Sequence, residues 1–134
     1  MPPQTPGTRQ TLIYNYDSLY LNETTPGNYT NQVYYENSSN LLDSIRVDFT
    51  GQVNIDTGNA AIVTIQVINE DNNTVIGTFI YQTPAEINQS YQLGFNVRGV
   101  YRYIVYFTIG MEINNVLTGS QNLSLKDIRV FDIY

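Results

Sequence analysis

The chain has 134 residues, six basic against twelve acidic side chains, a net charge of -6, and no histidine, cysteine or tryptophan. Without His and Cys the common Ser-His-Asp and Cys-His nucleophile arrangements cannot be built, zinc loses its preferred ligands, and no disulfide or thiol chemistry exists. Without a basic stripe, neither nucleic acid nor an anionic membrane surface is an expected partner.

Residues 1 to 10 hold three of the five prolines and no apolar cluster, so they are read as an extended N-terminal arm, either frayed or docked on a neighbour. This start has no basic segment followed by an apolar run, so no signal peptide is expected. Apolar runs stay strand-sized throughout, which predicts no membrane insertion.

From Thr11 the hydrophobic period is two. Candidate strands over 11 to 21 and 31 to 36 are separated by the turn residues Pro26, Gly27 and Asn28. Ile45, Val47 and Phe49 alternate with Arg46 and Asp48, and then Asp56 to Asn59 mark a turn. Ala61, Val63, Ile65 and Val67 place a strand over 60 to 69. Polar residues 69 to 73 follow, then Val75, Gly77, Phe79 and Tyr81, completing a hairpin with a longer loop. Residues 27 to 83 contain no proline, as ladder donors require. Further strands are expected over 89 to 97, 99 to 109, 111 to 117 and 122 to 133, with turns at Arg98-Gly99 and Thr118-Gly119-Ser120. In the last strand the apolar parity switches between Leu125 and Ile128, which predicts a β-bulge at Lys126-Asp127. Eight or nine short strands and no helical window give an all-β antiparallel sandwich, of jelly-roll topology, as a single domain over 11 to 134.

Chemistry-bearing residues are sparse. Asp48, Asp56, Glu70, Asp71, Glu86 and Glu112 could supply a carboxylate pair, yet any acidic domain offers such pairs, and the residues point to a protein that is not an enzyme. A structural calcium is the one cofactor the sequence admits, with Asn69, Glu70, Asp71, Asn72 and Asp127 as oxygen donors. Those residues match no loop template and read more readily as solvated turns. Asn22, Asn28, Asn37, Asn72, Asn88 and Asn122 each open an Asn-X-Ser/Thr triplet. Composition alone gives about 2.5 such triplets from 16 Asn and 21 Ser plus Thr. Glycosylation and plain turn preference both account for the excess. Twelve tyrosines form the remaining constellation. Tyr14, Tyr16 and Tyr20 are expected on one strand face, with Tyr34, Tyr35 and Tyr91 beside them, as contacts to another subunit or to sugar rings. Tyr101 and Tyr103, in phase with Val105 and Phe107, are assigned to the core.

The segments Gly99-Val100-Tyr101-Arg102-Tyr103 and Leu123-Ser124-Leu125-Lys126-Asp127-Ile128-Arg129-Val130 resemble the closing strands of galactose-binding-like jelly rolls, many of them carbohydrate-binding modules. That resemblance covers about a third of the chain and implies glycan recognition; the tryptophan on which those modules often stack sugars is missing. The Pro-rich arm, the absence of Cys, the low charge and the Asn/Thr/Tyr-rich strands also resemble small single jelly-roll structural proteins of virions: capsid, turret, fibre-head or decoration subunits. This second resemblance implies assembly in a virion or similar extracellular surface structure, with copies of itself and other virion proteins as partners. Surface glycans are the alternative partner.

Overall fold

Two-residue alternation yields six antiparallel strands in a computed structural model that describes residues 9–69 and 73–134. They are β1 (Gln10–Glu23), β2 (Gly27–Asn54), β3 (Ala60–Asn69), β4 (Asn73–Tyr81), β5 (Ala85–Ile113) and β6 (Gln121–Ile133). Hydrogen bonding orders them β1-β6-β2-β5-β3-β4.

β2 and β5 are long enough to serve two layers. Residues 44–54 of β2 pair with β6 and with the first half of β5, whereas 27–39 pair with the second half of β5, which in turn pairs with β3. The first sheet is therefore β1, β6, the second half of β2 and the first half of β5. The second sheet is the first half of β2, the second half of β5, β3 and β4. Six continuous elements thus supply eight strand segments in a jelly roll, as the turn spacing predicts.

The bend that joins the sheets lies where a turn is expected at Arg98-Gly99, but no turn forms there. Leu42 pairs with Gly99 and Ser44 with Gly94, so β5 carries the excess residues outward through the corner. Leu41 takes φ 55 at this point. Phe95 stacks on Tyr101 at 4.1 Å, the Tyr101 hydroxyl donates to the Val97 carbonyl, and Arg98 Nε donates to the Leu41 carbonyl at 3.2 Å. A corner braced in this way keeps both strands paired through the bend. The separate strand expected over 111 to 117 is also absent: β5 runs on to Ile113, and residues 114–120 form a loop.

Other turns fall as expected, with Gly27 (φ 154), Gly58 (φ 91) and Gly119 (φ 115) supplying the positive φ that L-residues avoid. The bulge at Lys126-Asp127 is present: Asp127 has φ 51, and the β2–β6 register shifts between Asp48 and Thr50. Gln10, placed in the arm by composition, is the first residue of β1 and pairs with Ile133. Arg9 is also tied down, its carbonyl accepting from the Tyr134 amide. Residues 1–8 lie outside the described residues.

The core lies between the sheets. Phe49, Val47, Leu123, Leu125, Ile128 and Val130 from the first sheet meet Ala61, Val63, Ile65, Val105, Phe107 and Ile109 from the second, all 0–1% exposed. Phe49 and Phe79 bridge the layers edge to face, with ring centroids 5.7 Å apart.

Candidate functional site

The tyrosines do not gather into one site. Directly paired residues of an antiparallel ladder share a face. Tyr14 and Tyr16 pair with the buried Val130 and Ile128, so they face the inside of the sandwich; Leu19 and Leu21 pair with the buried Leu125 and Leu123, so Tyr20 faces out. The expected common face for Tyr14, Tyr16 and Tyr20 is therefore corrected. The Asp127 bulge reverses the parity of β6, and β1, in register across it, reverses with it.

Tyr14 stacks on Tyr35 of the opposite sheet at 4.5 Å and lies 6.3 Å from Tyr16. These rings close one open side of the sandwich. Tyr91 closes the other, its ring over Gly77 of β4, where an added Cβ would sit 2.7 Å from the ring. Burial raises the hydroxyl pKa of Tyr14, Tyr35 and Tyr91. Tyr34, by contrast, is outward, 57% exposed and packed on Tyr106 at 5.6 Å.

A polar cluster ties the sheets together near the bend. The Tyr103 hydroxyl donates to Asp132 Oδ1 at 2.6 Å, and Asn37 Nδ2 donates to the Tyr103 oxygen at 3.1 Å and to Asp132 Oδ2 at 3.4 Å. Burial, then the bond to Asp132, raises the Tyr103 pKa. Asn37, Tyr103, Asn69, Ile68, Glu36 and Arg102 are among the residues lining an adjoining cavity of about 520 Å³.

Among the glycosylation candidates, Asn22, Asn28 and Asn88 are exposed and Asn122 is half-buried near the start of β6. Asn37 sits within β2 with both Nδ2 hydrogens committed, to Tyr103 and Asp132, so a sugar on Nδ2 would remove at least one of these contacts. Asn72 lies outside the described residues, as do the calcium candidates Glu70 and Asp71. The remaining two, Asn69 and Asp127, lie on different sheets, Asn69 buried at the end of β3 and Asp127 exposed at the bulge. Among the described residues no three His, Cys, Asp or Glu side chains converge as metal ligands.

Of the candidate carboxylates, Glu86 and Glu112 are exposed on different sheets, Glu70 and Asp71 lie outside the described residues, and Asp48 and Asp56 are engaged by neighbours. Asp48 is 3.2 Å from Arg46 Nε and accepts from Ser90 Oγ at 2.7 Å. Asp56 accepts from the Thr118 hydroxyl at 2.6 Å, the amides of Leu117 and Thr118 at 2.6 and 3.0 Å, and Gln121 Nε2 at 2.8 Å. The Thr118 hydroxyl first, and then the Leu117 amide, hold its pKa below the usual value. Buried Asn59 and Gln121 extend this cluster across the loop end of the sandwich: Asn59 Nδ2 donates to Gln121 Oε1 at 3.0 Å, and Asn59 Oδ1 receives the Asn114 and Asn115 amides at 2.8 and 3.1 Å.

The two outer sheet faces differ in where their charges lie. The outer face of the first sheet carries Arg46, Asp48, Glu86, Lys126 and Arg129. On the second sheet, Thr30, Gly110, Ile62 and Ile80 form one outward row, Gln32, Thr108, Thr64 and Thr78 the next, and Tyr34, Tyr106 and Gln66 a third. Those three rows contain no charge; the outward charges of this sheet, Glu36, Arg102 and Glu112, lie in the rows beyond them at either end. Sequence reasoning missed this face because it is assembled from four separate segments.

No family model and no curated protein matches the sequence. Solved structures do match the fold. The chain is similar to one from T=1 particles derived from infectious bursal disease virus, with a TM-score of 0.61 and 15% identity over 96% of this chain and 32% of that one. A chain of the Gt strain of that virus gives 0.56 and 15% over 94% of this chain and 33% of the other. The VP2 subviral particle of the virus gives 0.52 and 12% over 96% and 34%. This chain therefore spans about a third of the length of those it matches, and what it shares with them is the jelly-roll fold.

Proposed function

We propose that the chain is a non-catalytic structural subunit of a virus particle, associating with copies of itself and with other virion proteins. The observation that carries this reading is the match of 96% of the chain to a chain of a virus-derived particle at a TM-score of 0.61. The three uncharged rows across the middle of the second sheet support it, because burying Thr, Gln, Tyr and Ile side chains costs less desolvation than burying charged ones. Capsid, turret, fibre-head and decoration roles all fit such a module.

Size-exclusion chromatography with light scattering, followed by electron microscopy of the largest species, tests the reading. A closed oligomer is expected. A monomer that persists at high concentration, with and without residues 1–8, counts against it.

Glycan recognition is the second reading, favoured by exposed Tyr34 packed on half-buried Tyr106, whose ring faces suit a sugar. It predicts hits on a glycan array that vanish in Tyr34→Ala.

A further inference from the structure

Four open edges border the two sheets: β1 and the first half of β5 in one, the first half of β2 and β4 in the other. An open edge presents unpaired N–H and C=O groups, and stable monomers guard such edges with charges, prolines or bulges. Three of these edges are guarded. β1 carries Asp17, Glu23 and a register shift after Leu12; the first half of β5 carries Glu86, and the first half of β2 carries Glu36. β4 has none of these. Asn73–Tyr81 contains no charged residue and no proline, and its ladder to β3 runs without a shift from Asn69↔Asn73 to Ala61↔Tyr81. Its outward Ile80 is 61% exposed. Gly77, near the strand centre, rests on the Tyr91 ring, which supports β4 from inside.

We propose that β4 is an intersubunit pairing edge and that its occupant is β4 of a second copy, antiparallel across a two-fold axis. The two second sheets then join into one continuous sheet, and their uncharged outer rows become one surface. A two-fold contact must be self-complementary. Of the four edges, only β4 meets itself, or another strand, without contributing a carboxylate to the contact. With each copy at net charge -6, contact at any guarded edge adds local repulsion between the two chains.

This inference rests on the reading of the chain as an assembly subunit, and the test separates the two. Sedimentation across a concentration series compares the wild-type chain, Thr78→Lys/Ile80→Lys on β4, and Ser18→Lys/Tyr20→Lys on β1 as the matched control. Wild type and control should associate alike, and the β4 variant at least about tenfold more weakly, as facing like charges across paired strands require. Unchanged association of the β4 variant overturns the edge assignment and leaves the assembly reading standing. A wild-type chain that stays monomeric overturns both. Should the β4 variant fail to fold, hydrogen exchange on the wild type decides: β4 amides must gain protection with concentration while β1 amides do not, and equal behaviour of the two strands overturns the assignment.

Discussion

The Tyr103 hydroxyl and the Asp132 carboxylate meet at 2.6 Å between the two sheets, one residue from β5 and the other from β6, both 5% exposed or less. Their contact fastens one sheet to the other next to the corner where β2 and β5 bend. Asp132 is buried, so its lone pairs depend on the few donors within reach, of which Tyr103 is the nearest that the structure provides.

Tyr103→Phe keeps the ring and removes that donor. Urea unfolding should show a loss of about 1–3 kcal/mol, the usual cost of leaving a buried acceptor short of a partner. A variant as stable as wild type would mean that water supplies the missing bond.

The same residue sets an alkaline limit. Burial raises the Tyr103 pKa above its ordinary 10.0, so the folded state holds the phenolic proton more tightly than the unfolded state does. The associated stability is complete below about pH 10 and declines as pH rises toward the folded value. Burial of Tyr14, Tyr35 and Tyr91 acts in the same direction. Thermal midpoints measured from pH 8 to 12 should fall at the alkaline end, and less steeply in Tyr103→Phe.

Asp56 has the opposite sign. Donors at Thr118, Leu117 and Gln121 lower its pKa below 3.8, so its contribution is present above that value and lost as pH falls through the folded pKa. Asp56→Asn should speed exchange of the Leu117 and Thr118 amides and lessen the loss of stability in acid, with the strands unaffected. Unchanged exchange at both amides would remove Asp56 as the organiser of the 114–120 loop.

Gly51 pairs with Leu125 where β2 runs against β6. A Cβ there would stand 2.0 Å from the Ser124 carbonyl oxygen, and backbone cannot swing aside as a side chain can. Gly51→Ala should cost about 1–3 kcal/mol by chemical denaturation, as overpacking does. Gly94→Ala serves as control, since nothing lies within 4 Å of its Cβ position.

Asp127 can be exchanged in two directions. At φ 51, Asp127→Gly should be neutral or stabilising, and Asp127→Val destabilising by about 1–2 kcal/mol. Equal stability of the two variants would mean that the bulge relaxes away.

Strand content and core were legible because alternation is a local signal. Ala61, Val63, Ile65 and Val67 are all buried, with half-buried neighbours between them, as their spacing demands. The bulge was legible for the same reason, since the parity switch from Leu125 to Ile128 lies within one strand. Arg98-Gly99 misled, because a glycine that marks a turn by composition here sits in a strand that bends while staying paired.

The facing of Tyr20 could not be read from β1 alone, for it depends on a bulge in β6, and the uncharged rows of the second sheet and the unguarded edge of β4 depend on strand order. Tyr103, Asp132 and Asn37 are separated by up to 95 residues and meet only when the sheets close. The sequence by itself determined which residues alternate and where most turns fall, because those preferences act between near neighbours. Tertiary structure alone decided which segments became neighbours, and hence which polar groups pair and which surfaces stay free of charge, because hydrogen bonds and packing across strands act through space.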